Sequence, residues 1–151
     1  MTSLALSEPV PGPRGHFRLE VRRRGVLVEV DDHPNIIVNG ARTQQARLIG
    51  GDVVGRSITQ IGFGEGSGAA DASNSGLTNA FKKALSGVTY PAWNSVQFAF
   101  TLGTGEGNGL SIIEFGLICN NDTLFARRVR TGALVKASDL SFSGTWTITY
   151  N

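Results

Sequence analysis

Apolar and polar residues alternate along much of this chain, and the alternation predicts strands. Phe17, Leu19 and Val21 fall on one side of an extended segment while Arg18, Glu20 and Arg22 fall on the other, the period of two that gives a strand one wet face. Arg24-Gly25 supplies a turn, and Val26, Val28 and Val30 return on the same period, which predicts a hairpin. Asp31 to Asn35 reads as a loop and Ile36 to Val38 as a short apolar strand. Ile58 to Phe63 follows with Ile61 and Phe63 inward. Val96, Phe98, Phe100 and Leu102 alternate with Gln97, Ala99 and Thr101, and Leu140, Phe142, Trp146, Ile148 and Tyr150 alternate with serines and threonines. Leu110 to Cys119 is nearly all apolar, the mark of a central strand covered on both faces, and Leu124 to Arg130 forms another short strand.

One helix interrupts this pattern. Ala41 to Ile49 holds helix formers between Gly40 and Gly50, with Ala41, Gln45, Leu48 and Ile49 along one side. Leu77 to Leu85 fits a helix or an extended segment equally. Glu65 to Gly76 is almost wholly Gly, Ala, Ser, Asp and Asn, a surface loop with nothing to bury. Pro9, Pro11 and Pro13 stand at alternate positions near the start, which reads as an extended arm or a frayed end. Short strands joined by Gly-rich turns predict an all-β fold, an antiparallel β-sandwich of jelly-roll-like type with one short helix. The expected organisation is an extended N-terminal arm over 1–14 and a single sandwich domain over 15–151.

Composition adds limits. A chain of 151 residues can bury a core without staples, and the 20 glycines show no period of three, so they serve turns and not a collagen helix. The formal charge of +2 gives no case for nucleic acid. Arginines cluster at Arg18, Arg22, Arg23 and Arg24 and again at Arg127, Arg128 and Arg130, but aromatic residues do not interleave with them as a single-strand platform requires. Solvated faces with rim ion pairs account for both clusters, and a subunit interface using Arg22, Arg23, Arg24, Arg127 and Arg128 is the functional alternative. The first residues lack the basic region of a signal peptide, and no run is long enough to cross a membrane as a helix.

Candidate chemistry is sparse. Gly62-Phe63-Gly64-Glu65-Gly66 and Gly103-Thr104-Gly105-Glu106-Gly107 each contain GxGxG, yet neither leads into the N-terminus of a helix, where a phosphate would meet amides and dipole. Both read as turns. His33 stands beside Asp31 and Asp32, and His16 lies nearby, but sequence neighbours do not make a triad, and loop solvation explains them. Two carboxylates of a glycosidase could converge anywhere in a fold. Glu114 is the one acid within an apolar strand, expected to pair with an arginine or to face a subunit boundary. The lone Cys119 reads as a small buried hydrophobe. Trp93, in Tyr90-Pro91-Ala92-Trp93-Asn94, is a receptor contact or a half-buried turn anchor, the anchor being the favoured reading, and Trp146 belongs to the core. No catalytic, cofactor-binding or metal-binding residues emerge.

Several segments, taken in order, resemble the virion proteins of bacteriophage tail collars and tail fibres. They are Asn35-Ile36-Ile37-Val38-Asn39-Gly40-Ala41-Arg42, Ile58-Thr59-Gln60-Ile61-Gly62-Phe63-Gly64 with its Gly/Ala/Ser/Asp spacer, and Asn94 to Gly103. Gly105 to Gly109 with Ile113-Glu114-Phe115-Gly116-Leu117, then Leu124 to Val129, and the closing Gly144-Thr145-Trp146-Thr147-Ile148-Thr149-Tyr150 complete the set. The likeness covers roughly residues 35–150 of the chain. It implies a non-catalytic structural protein of a phage particle that acts by self-association and docking, without a cofactor. Its partners would be itself, as a homo-oligomer with a trimer favoured, and other virion proteins, in a particle assembled in the host cytoplasm. The chain has no shaft repeat and no separate tip, so a collar, baseplate or fibre-adaptor role fits its length. A capsid decoration protein and a carbohydrate-binding module using Trp93 are the alternatives.

Overall fold

The computed structural model describes residues 12–151. Nine strands and one helix follow in chain order: β1 Arg14–Arg23, β2 Val26–Ile37, α1 Asn39–Ile49, β3 Ile58–Gly64, β4 Phe81–Ala84, β5 Gly87–Ala92, β6 Ser95–Leu102, β7 Ser111–Cys119, β8 Leu124–Val135 and β9 Leu140–Thr149. Every pairing is antiparallel, in the order β4-β3-β7-β8-β2-β1-β9-β6-β5. The expected all-β architecture with one short helix is therefore the observed one. Of the arm expected over 1–14, residues 1–11 lie outside the described residues, and Arg14 already opens β1.

One sheet makes both layers by curling on itself. Phe17 of β1 lies 4.8 Å from Phe115 of β7 between ring centres, and Phe63 of β3 lies 6.1 Å from both Phe100 of β6 and Phe142 of β9. These contacts join strands far apart in the sheet order, so the two halves face each other across a common core. Trp146 completes the cluster with its ring 4.9 Å from Phe17 and at 73° to it, the edge-to-face arrangement aromatic rings favour. Its indole N–H donates to the Asn35 side-chain oxygen at 2.8 Å, so the largest buried ring leaves no polar atom unpaired.

The two ends of the sheet nearly close. Only Leu85 and Ser86 separate β4 from β5, at opposite ends of the strand order. The Leu85 amide donates to Thr59 O at 3.1 Å and the Ser86 amide to Ala99 O at 2.8 Å. Successive amides thus serve β3 and then β6, and the chain turns the corner between layers here. The segment Leu77 to Leu85, open in the sequence between helix and strand, supplies β4.

Local chemistry places the first hairpin turn where the sequence did. Arg24 and Gly25 both have positive φ, at 52° and 79°, the primed turn that matches strand twist and that glycine at the second place favours. The helix differs from expectation on its buried side. Ala41 and Gln44 are buried, whereas Ile49 is 88% exposed. Gln44 donates to the Asn121 side chain at 2.9 Å and accepts from Arg56 at 2.8 Å, so a polar clamp and not an apolar stripe fixes the helix.

The Asp31–Asn35 loop of the sequence reading is instead the continuation of β2, held by pairing to β1 through Gly15↔Asn35. Cross-strand pairing also fixes which side chains of β2 turn to the core. Leu19 pairs with Asp31 and Phe17 with His33, while Glu20 pairs with Val30. Cross-strand partners share a face, so Asp31 and His33 take the inward side and Val30 the outward one. A bulge between Val21 and Arg22 adds one residue to β2, at Val28. In the 26–30 stretch four apolar side chains are left in solvent, with Val26 66%, Leu27 48%, Val28 54% and Val30 42% exposed.

Candidate functional site

A buried ion pair organises the outer face of β7. Glu114 pairs outward with Gly64 of β3, alongside the Gly62↔Gly116 pair, while Phe115 and Leu117 turn inward. A side chain on any of these glycines would collide with what lies above them. A Cβ on Gly62 would stand 2.6 Å from the Leu77 side chain, and one on Gly64 would stand 2.5 Å from the Glu114 carboxylate. The Gly62 to Gly66 run is thus a trough that lets the 65–80 segment lie close on the sheet. Gly62 to Gly64 lie within β3, and not in the turn that the sequence reading assigned to this run. The Gly103 to Gly107 run is the turn between β6 and β7 that the sequence reading assigned, with Gly107 and Gly109 at positive φ.

Glu114 and Arg127 fix that segment in place. Glu114 Oε2 accepts from the Gly66 and Thr78 amides, both at 2.7 Å, and Oε1 accepts from Arg127 Nε at 2.8 Å. Arg127 also donates to the carbonyls of Gly66 and Ala69 and to the Asn74 side chain. Their side chains are 1% and 5% exposed, so both spend their polar groups within the chain and offer no surface to a partner. The 65–76 loop has no buried residue of its own, as the sequence reading expected, and Leu77 just beyond it packs on Ile118 and Leu124. The 65–80 segment is also what makes β7 a strand covered on both faces, as its apolar run predicted.

The other candidates divide between two regions. Arg22 donates to Glu20 at 2.7 Å and to Ser143, Arg23 pairs with Asp139, and Arg24 sits in the exposed turn. Together they form a solvated hairpin end. Arg128 turns inward, where Nη2 meets Asp31 Oδ1 at 2.8 Å, and Arg130 meets Glu29. Trp93 is 94% exposed at the β5–β6 turn, which corrects the half-buried anchor reading: the turn is held by Asn94, whose side chain donates to Tyr150 O at 2.6 Å, and the indole is not needed for it. Tyr90 stands beside it at 77% exposure.

The histidines contact carboxylates only. His33 Nδ1 lies 2.6 Å from Asp31 Oδ1, and His16 contacts Asp32. The His16 contact, followed by Arg18, holds the Asp32 carboxyl below the usual range. Neither histidine has a hydroxyl or thiol partner among the described hydrogen bonds. Cys119 is fully buried, and burial pushes its thiol pKa up, which keeps it from being a thiolate near neutral pH. Among the described residues no group of three His, Cys, Asp or Glu is placed to hold a metal.

Sequence reasoning missed Lys136. It is 1% exposed, donates to Asn108 Oδ1 at 2.9 Å and to Ala137 O at 3.2 Å, and burial lowers its pKa. The lysine ties the glycine-rich β6–β7 turn to the start of the β8–β9 connection. Nothing in the local pattern around Val135-Lys136-Ala137 marks it as interior.

Together these features define an antiparallel β-sandwich made by one curled sheet, with its own loop covering part of one face and exposed apolar side chains along β2. Comparison with protein-family models, with curated proteins and with solved structures finds no match to this chain.

Proposed function

We propose that this protein is a non-catalytic structural component of a bacteriophage particle, in the tail as a collar, baseplate or fibre-adaptor protein, working by self-association and docking. The observation that carries the reading is the cluster of exposed apolar side chains Val26, Leu27, Val28 and Val30 along β2. Such a cluster is a liability in a monomer and is covered in an assembly. The resemblance of residues 35–150 to tail-collar and tail-fibre proteins supplies the biological setting, with a homo-oligomer and other virion proteins as partners.

Two measurements test it. Light scattering on the purified chain should give an oligomer, and Val28→Thr with Val30→Thr should yield a folded monomer. Immunogold labelling of particles of the source phage should place the chain on the tail. Label over the head would make it a capsid decoration protein, and unlabelled particles would remove the virion reading altogether.

A second reading rests on a different surface. Trp93 and Tyr90 are exposed beside a cleft of about 400 Å³ that Tyr150 also lines, and aromatic faces of this kind stack on sugars. Glycan-array binding that Trp93→Ala abolishes would favour a carbohydrate-binding module.

A further inference from the structure

We infer that the seam between β2 and β8 receives residues 2–7 of a second copy as an added strand. The inference rests on the self-association proposed above and names the segment that would perform it.

The two strands are laddered only through Ile36↔Arg127 and Ile37↔Ala126. Beyond that point β2 is paired on one side with β1, and β8 with β7. Across the remaining gap they meet through side chains, Asp31 with Arg128 and Glu29 with Arg130. Arginine side chains hold the strands apart, so their facing edges lack the ladder a sheet interior would have.

The gap contains polar atoms in need of partners. Asp31 Oδ2, Arg128 Nε and Arg130 Nε are buried without a hydrogen bond, and the Asp31 and Arg130 side chains are 7% and 10% exposed. Orphaned buried polar atoms are costly and call for a ligand or water. All three residues line a cleft of about 240 Å³ with Val30, His33 and Thr131. A second cleft of about 500 Å³ continues the seam between Pro34–Ile36 and Val129–Thr131, with Ala69 and Ala70 beside it.

Charge selects the occupant. Two guanidiniums face two carboxylates, so an anion would meet Glu29 and Asp31 and a cation would meet Arg128 and Arg130. A neutral peptide backbone suits both orphan types, because its carbonyls accept from the Nε–H groups and its N–H donates to Asp31 Oδ2. An extended segment lying between two open strand edges is the geometry of strand addition.

Thr2-Ser3-Leu4-Ala5-Leu6-Ser7 meets these requirements. It carries no charge and no proline, and it is bounded by Glu8 and Pro9. In an extended strand Leu4 and Leu6 share one face, and the exposed Val28 and Val30 stand beside the seam to receive them. Six residues span about 20 Å, which fits within the open length of β2. Gly12 and Pro13 lie beside Pro34 to Ile37, and the self-association proposed above assigns the strand to a neighbour's seam.

Cysteine cross-linking in the full-length chain tests this. Leu6→Cys with Val30→Cys should give disulfide-linked dimers on a non-reducing gel, while Leu6→Cys with Val54→Cys, at an 85% exposed site that lines neither cleft of the seam, should not. A cross-link within one chain, or none above the Val54 control, would overturn the inference. Light scattering on the unmodified chain is read separately: an oligomer without the cross-link leaves self-association standing, and a monomer removes both.

Discussion

Glu114 and Arg127, on the paired strands β7 and β8, form a 2.8 Å ion pair that is closed over by the 65–80 segment. Both are buried, so each neutralises a charge that would otherwise stand in a medium of low dielectric. Removing one partner of such a pair costs about 3 to 5 kcal/mol, whereas removing both costs far less. Glu114→Gln should therefore lower stability by roughly that amount in urea unfolding and expose the 66–76 segment to protease. Adding Arg127→Met should recover much of the loss. Additive effects in the double mutant would mean the two residues act separately.

Gly144 occupies a core position in β9 between Phe142 and Trp146. A Cβ there would overlap the Arg18 carbonyl oxygen and stand 2.5 Å from the Phe100 ring. Overpacking of this kind costs about 1 to 3 kcal/mol or more, because backbone cannot give way as a side chain can. Gly144→Ala should lower Tm clearly, while alanine at Gly105, where a Cβ meets nothing within 4 Å, should leave it nearly unchanged.

Acid should destabilise the fold in a defined window. The carboxyls of Asp32, Glu20, Glu106 and Asp139 are held below their ordinary values chiefly by hydrogen bonds from His16, Arg22, Lys83 and Arg23 respectively. A lowered folded pKa gives stability that is present above the ordinary values of 3.8 for Asp and 4.5 for Glu and lost as pH falls through the folded ones. Tm should hold down to that range and fall below it, and added salt should flatten the fall because these groups lie near the surface.

Lys136 has the opposite sense. Burial lowers its pKa, so the folded state favours the neutral amine and gains stability as pH rises toward the ordinary value of 10.5. Tyr150, raised by burial, works against this above 10.0. The difference between the parent chain and Lys136→Met isolates the lysine: the parent should gain on the variant as pH approaches 10.5.

Cys119 should be silent in the folded protein. It is fully buried and burial raises its thiol pKa, so a thiol reagent at neutral pH should label it only at the rate of unfolding. Fast labelling without denaturant would mean that β7 opens locally.

Much of the fold was legible because side-chain alternation is a property of the strand itself. The inward sets of β1, β6 and β9, the Arg24-Gly25 turn, the position of the helix and the burial of Cys119 and Trp146 all follow from local spacing and turn chemistry. The same local rules cut β2 short, reading Asp31 to Asn35 as a loop where the strand runs on to Ile37. Its valines and its acids alternate equally well, and the side that turns inward was decided by Arg128 and Arg130 across the seam.

The candidate residues divide in the same way. The sequence by itself singled out Glu114 as an acid in an apolar strand and offered an arginine as its partner. Only the tertiary structure decided that this arginine is Arg127, that a glycine trough brings the 65–80 segment down onto the pair, and that Lys136 is interior while Trp93 is not. Local periodicity states which side chains share a face. What covers that face depends on strands and loops distant in the chain, whose meeting is set by pairing register and close packing.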